Sequence, residues 1–156
     1  MDHRPVLPVL NQPVHLSGAL LEFLARRIRL RSESLLAPLG LRPRHFVAMT
    51  VLRERGGSAQ QALAKTLDMD GTNIVGLLND LEAEGLIERR RSPEDRRRHI
   101  VELTESGIER LARAEFAIAA AEDEVLGALE PDQREALYSM LQQALNGEAC
   151  RAEESC

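Results

Sequence analysis

The stretch from Leu86 to Gly107, LIERRRSPEDRRRHIVELTESG, constrains this chain more than any other. Its ends alternate apolar and polar residues, the period of a strand buried on one face. Leu86, Ile87 and Glu88 open one short strand, and Ile100, Val101, Glu102 and Leu103 close another. Between them stand six arginines: Arg89, Arg90, Arg91, Arg96, Arg97 and Arg98. Ser92-Pro93-Glu94-Asp95 supplies the turn, because Pro presets φ and Ser and Asp side chains bond nearby backbone. The pattern predicts a β-hairpin tipped with guanidinium groups. Exposed ion pairs, such as Asp95 with Arg97, contribute at most about 1 kcal/mol. Such pairs do not account for six arginines in one hairpin.

The cluster stands out against the charge of the whole. The 156 residues carry a net charge of −5, but unevenly. Residues 1–101 hold 16 Lys and Arg against 12 Asp and Glu; residues 102–156 hold 4 against 13. An acidic total does not exclude nucleic acid, because binding depends on the face presented. Aromatic residues make up only 3% and Trp is absent, so the core is built from Leu, Ala, Ile and Val, which suits helices.

The rest of the chain reads as helices around this hairpin. Residues 1–15, with Pro5, Pro8 and Pro13, form an extended arm without the apolar run of a signal peptide. Ser17 is placed to cap a helix running to about Leu39, with Leu20, Leu21, Leu24, Ile28, Leu35 and Leu36 at helical spacing. Arg26, Arg27, Arg29 and Arg31 lie mostly off that stripe, on a solvated face or against an anionic ligand. Pro43 starts a second helix ending near Gly56-Gly57, with His45 in its first turn. Ser58 is placed to cap a short helix, AQQALAKTL. After a tight connection at Asp68-Met69-Asp70, a further helix runs from Gly71 or Thr72 to Glu84, and Gly85 ends it. Thr104 caps a long helix whose Leu111, Ala114, Ile118, Ala121 and Val125 form a narrow stripe suited to packing against another helix. Pro131 starts the last helix, Asn146-Gly147 stops it, and 147–156 is a flexible tail.

Two short helices joined by about four residues form a helix-turn-helix. Followed by the hairpin, they make a winged helix, with double-stranded DNA as the expected partner. Arginines of a wing track phosphates, and one at the tip can enter the minor groove. On the second helix of the pair, Thr72, Asn73 and Asn79 are the polar candidates for reading bases, since Asn can bond adenine and Thr can meet a thymine methyl.

From Asp95 to Gly107 the wing resembles the signature of the MarR (multiple antibiotic resistance regulator) family: D-x-R, a short apolar strand, then L-T-x-x-G. The resemblance extends to Gly40–Phe46, Leu63–Leu67 and Leu77–Ile87, and covers roughly residues 16–146. It implies a mainly α fold with a small β-hairpin wing. In that fold a winged helix-turn-helix lobe (41–104) is flanked by dimerisation helices (16–40 and 104–146). It also implies a homodimer repressing transcription from an inverted repeat, relieved by a small anionic or aromatic effector. By the same resemblance Asp95 steadies the wing and Arg97 contacts DNA; Arg89, Arg90, Arg91, Arg96 and Arg98 are further DNA candidates. Arg26 and His45 are candidates for an anionic ligand. The chain departs from the family where the recognition helix has Gly71, Gly76 and Asp80 instead of arginine, which shifts affinity toward the wing. Arg42 replaces a capping Thr or Ser, so the second helix is expected to start without a cap.

Other classes fit poorly. The histidines, His3, His15, His45 and His99, fall in unrelated segments, and there is no Gly-rich phosphate loop or HExxH. No catalytic residue, cofactor or metal is therefore expected. Cys150 and Cys156 lack metal-ligand spacing, and a reducing cytoplasm is the expected location. No run of apolar residues is long enough for a membrane span. The alternative is a winged-helix module that binds protein through its acidic last third.

Overall fold

The computed structural model describes residues 16–153, and side-chain surroundings through residue 147. The expectations for the arm at 1–15 and for Cys150 and Cys156 lie outside these. In chain order come α1 (Ser17–Leu36), a 3-10 turn (Ala37–Leu39), α2 (Pro43–Arg55), β1 (Ser58–Ala59), α3 (Gln60–Thr66), α4 (Gly71–Ala83), β2 (Ile87–Arg91), β3 (His99–Leu103), α5 (Glu105–Val125) and α6 (Pro131–Glu153). This is the mainly helical fold with a small wing that the sequence predicts. The chain divides into two units, one through Ala121 and one from Glu122 onward.

The first unit has a mainly leucine core drawn from its five helices and from the wing. Ile74, Leu77, Leu78 and Leu81 of α4 are buried at the spacing read from the sequence. They join Leu36 of α1, Leu41, Met49 and Leu52 around α2, Leu63 of α3, Leu86 just before the wing, Ile87 and Val101 of the sheet, and Leu111 and Ala114 of α5. Each such side chain contributes about 1.5–3 kcal/mol by leaving water. The α5 stripe read from the sequence is therefore occupied largely within the chain: Leu111, Ala114 and Ala121 are buried, and Ile118 packs on the core cluster.

The sheet has three strands in the order β1-β3-β2, all antiparallel. In the wing Ile87 pairs with Leu103 and Arg91 with His99. The third strand is a correction. Ser58 does not cap α3; it pairs with Val101, while Ala59 takes the N-cap position without a side-chain bond. Two residues are too few to carry an alternating pattern, and the pairing comes from β3 lying alongside. Gly57, at φ +122°, turns the chain into β1, and a Cβ there would lie 2.9 Å from Cγ of Glu102.

Three helix ends differ from expectation. Ser17 is the first residue of α1, behind a Leu16 N-cap position that makes no side-chain bond. The α-helix stops at Leu36, and the 3-10 turn carries the chain to Gly40, which closes it at φ +68°. At the other terminus α6 runs through Asn146-Gly147 to Glu153. Glycine inside a helix costs only about 1 kcal/mol, which neighbouring turns can absorb.

The junction of wing and α5 explains the L-T-x-x-G spacing. The Thr104 backbone N–H donates to Leu86 O at 3.0 Å. Its hydroxyl donates to Gly85 O at 2.6 Å and accepts from the Gly107 N–H at 3.0 Å. Gly107 then passes so close to β2 that a Cβ would sit 2.0 Å from Leu86 O. Threonine caps the helix, and glycine lets it touch the strand.

Candidate nucleic-acid interface

The helix-turn-helix is α3 and α4, joined through Asp68 at φ +50°. Asp70 caps α4, its Oδ1 accepting the Asn73 N–H at 2.8 Å. Asp70 Oδ2 also accepts from Asn73 Nδ2 at 2.8 Å, so the Asn73 carboxamide is engaged at the helix start. Thr72, Asn73 and Asn79 are all exposed, away from the buried leucine face.

The arginines of the wing separate into two groups. Arg89 turns back onto α4: its Nε donates to Glu82 Oε2 at 3.2 Å and its Nη2 to Asn79 Oδ1 at 2.6 Å. The Arg89 guanidinium holds the Glu82 carboxyl below the usual carboxylate range through that hydrogen bond. Arg90 lies across the hairpin, donating to Glu102 at 2.6 Å. Arg98 pairs with Asp95 at 3.7 Å. Arg91, Arg96 and Arg97 are exposed and make no side-chain hydrogen bond or ion pair among the described residues.

The tip is held by its own polar groups. The Ser92 N–H donates to Arg98 O at 2.8 Å, the Arg98 N–H to Asp95 O at 2.9 Å, and the Arg97 N–H to Asp95 Oδ1 at 3.0 Å. The buried Ser92 hydroxyl accepts from the Glu94 N–H at 3.3 Å. Asp95 thus fixes the Arg97 backbone while pairing with the neighbouring Arg98 side chain. The Asp95–Arg97 side-chain pair suggested by the spacing is not formed.

His45 and Arg26 are not brought together. His45 is buried at the start of α2, where its Nδ1 accepts the Arg42 N–H at 3.0 Å. A guanidinium has no lone pair to offer an N–H. The cap missing at Arg42 is therefore replaced from within the helix by His45, one half of a capping box. Since Nδ1 accepts, the proton of the neutral ring is on Nε2, which donates to Asp80 Oδ2 at 3.2 Å. Burial pushes the His45 pKa down, more than the Asp80 carboxylate raises it. His45 and Asp80 line a cavity of about 810 Å³ with Glu33, Leu41, Arg42 and Glu84, among others. Arg26 is exposed on α1 and is not among its lining residues. Arg110 of α5 donates to Leu39 O at 2.6 Å, with Glu84 4.0 Å away. No sequence pattern pointed to Arg110; its partner is a carbonyl 71 residues away.

Residues 39–98, the lobe just described, match the model of the MarR family. The whole fold is similar to the solved structure of the transcriptional repressor CouR bound to a 23-mer DNA duplex. That similarity has 37% identity and a TM-score of 0.74, covering 83% of this chain and 92% of that one. The chain belongs to the MarR family. It is thus a member of a family of winged-helix transcription regulators. A solved structure described as MarR is similar at 29% identity and a TM-score of 0.76, covering 85% of this chain and 96% of that one. In sequence, a Thauera aromatica protein described as a transcriptional regulator for the hcr operon is 35% identical over 102 residues, 65% of this chain and 61% of that protein. The HTH-type transcriptional repressor NicR of Pseudomonas putida is 32% identical over 103 residues, 66% of this chain and 65% of NicR. The matches thus span somewhat less than two thirds of these two relatives' own lengths. Among the described residues no helix is long and apolar enough to cross a membrane.

Proposed function

We propose that this chain is a transcriptional repressor that binds double-stranded DNA in the cytoplasm as a homodimer. The observation that carries this reading is the wing. Among the described residues Arg91, Arg96 and Arg97 hold their guanidinium groups without side-chain partners, beside the exposed face of α4 in the helix-turn-helix. Unpaired arginines on a rigid hairpin are suited to phosphate oxygens, and α4 to the major groove. Arg89, Arg90 and Arg98 brace the wing in this account, Asp95 holds its tip, and Thr72, Asn73 and Asn79 face bases. The similarity to CouR, a repressor solved bound to a DNA duplex, supports the DNA-binding role by analogy.

The dimer is supported by apolar surface that the single chain leaves open. Leu16, Leu20 and Leu21 of the α1 region are exposed, as are Tyr138, Met140, Leu141 and Leu145 of α6. A second copy covering these helices would place two wings on an inverted repeat. A small effector fits the cavity at His45. Its lining carries the Glu33, Asp80 and Glu84 carboxylates together with Arg42 and His45, so it offers both acceptors and donors to such a ligand. No catalytic step is part of this role.

Salt titration of duplex binding tests it. Neutralising several phosphates predicts a steep linear fall of log affinity with log salt. A chain that binds no duplex at low salt is instead the protein-binding winged helix named as the alternative.

A further inference from the structure

The buried face of α4 fixes what the opposite face can present. Ile74, Leu77, Leu78 and Leu81 are inside, so Thr72, Val75, Gly76 and Asn79 form the outward ridge. Val75 is 39% exposed, whereas Ile74 beside it is 2% exposed. A Cβ at Gly76 would meet nothing within 4 Å, so the ridge is low at its centre and the helix backbone can come close to a partner. The helix has no Lys or Arg. Its two carboxamides are partly spent: Asn73 Nδ2 on Asp70, and Asn79 Oδ1 on Arg89. Because a guanidinium only donates, Arg89 turns the Asn79 amide so that its Nδ2 hydrogens point away from the contact. What remains is the isopropyl group of Val75, the methyl and hydroxyl of Thr72, and an amide donor.

We propose that Val75 is a specificity-determining residue that, with Thr72, reads the 5-methyl groups of thymines in the major groove. This rests on the DNA-binding role proposed above. Thymine is the base that presents a methyl group and an O4 acceptor together on its major-groove edge. The α4 ridge offers the complement, methyl groups and an Asn79 amide donor. It lacks the Arg or Lys matched to the two guanine acceptors. The wing supplies affinity through phosphates, and α4 selects thymine-bearing steps by apolar contact. Arg89 acts here as a positioning residue, holding Asn79 as a donor.

The test starts with the full-length chain and a pool of random-sequence duplexes at low salt. In the duplex it enriches, each thymine is replaced in turn by uracil, which removes the methyl and leaves O4 and the charge. At one or two thymines per half-site the replacement should weaken binding roughly fourfold, the equivalent of one buried methyl group. In Val75→Ala the replacement should cost nothing further at one of these thymines, the one that meets Val75, while the salt dependence stays that of the unaltered chain. Val75 is exposed, so this variant keeps the core. Enrichment with affinity indifferent to uracil at every thymine would overturn the inference and leave the DNA-binding role standing. So would a Val75→Ala chain whose discrimination of thymine from uracil is unchanged at every thymine. Failure to enrich any duplex would overturn the DNA-binding role, and this inference with it.

Discussion

Nε2 of His45 lies 3.2 Å from Oδ2 of Asp80, tying the first turn of α2 to the recognition helix α4. On its other side the same ring accepts the Arg42 N–H that begins α2. The Arg42 bond requires the neutral ring, with Nδ1 bare and the proton on Nε2, whereas the Asp80 bond requires only that Nε2 proton. Protonation would place a hydrogen on Nδ1 and oppose it to the Arg42 N–H.

The first prediction concerns pH. Burial, with a smaller contribution from Arg44 and Arg42, sets the folded pKa of His45 below its ordinary value of 6.5. The unfolded chain therefore binds this proton first. The stabilisation is fully present above pH 6.5 and is lost as pH falls below that value toward the folded pKa. His45→Gln keeps an acceptor for the cap and a donor for Asp80 but does not titrate. Melting temperatures of the two chains should diverge with pH below 6.5, the variant losing less. Parallel curves would mean that His45 titrates alike in both states.

At Gly107 the prediction is steric. A methyl group would overlap Leu86 O, a backbone atom at 2.0 Å, so α5 must shift from the strand. Gly107→Ala should destabilise the first unit by about 1–3 kcal/mol, read by urea unfolding. An unchanged midpoint would mean that the junction gives way without cost.

Arg97 and Arg89 should differ in kind. Arg97→Ala removes an unpaired guanidinium and should weaken binding to all duplexes alike, lowering the salt slope by about 1. Arg89 is held by Glu82 and Asn79. Arg89→Ala should change the slope less than Arg97→Ala does and shift base preference, because it frees the Asn79 amide. Equal slopes for both variants would show that Arg89 also meets phosphate.

For assembly, the exposed apolar residues of α6 are the place to intervene. The pair Leu141→Asp and Leu145→Asp should yield monomers in sedimentation while the first unit still unfolds cooperatively. A double variant that stays dimeric would move the interface elsewhere. Ile118→Asp is a poorer probe, because Ile118 packs on the core of its own chain and the substitution would disturb folding itself.

The legible parts of this protein are those whose cause is local. The α4 stripe is read from three- and four-residue spacing, and Gly85 is read as its end because a left-handed residue there favours glycine. The hairpin from Ile87 to Leu103 follows from alternation on either side of Ser92-Pro93. What misled were signals that are local but weak. Ser17 and Ser58 are good caps in isolation, yet one sits inside α1 and the other pairs with β3. Asn146-Gly147 is a good stop, yet α6 continues.

The sequence by itself determined that this chain is helical with one basic wing, because periodicity and turn chemistry act within a few residues of each other. It also determined membership in the MarR family, through D-x-R and L-T-x-x-G. Only the tertiary structure decided which arginines are free. Arg89 is bound to α4 and Arg90 to Glu102, while Arg91, Arg96 and Arg97 have no side-chain partner among the described residues. Pairing of a guanidinium depends on which carboxylate the fold brings within reach, and Glu82 and Glu102 reach the wing only once α4 and β3 are packed beside it. His45 follows the same rule. Its partners, the Arg42 backbone and Asp80, 35 residues away, are brought to it only once α2 and α4 are packed together.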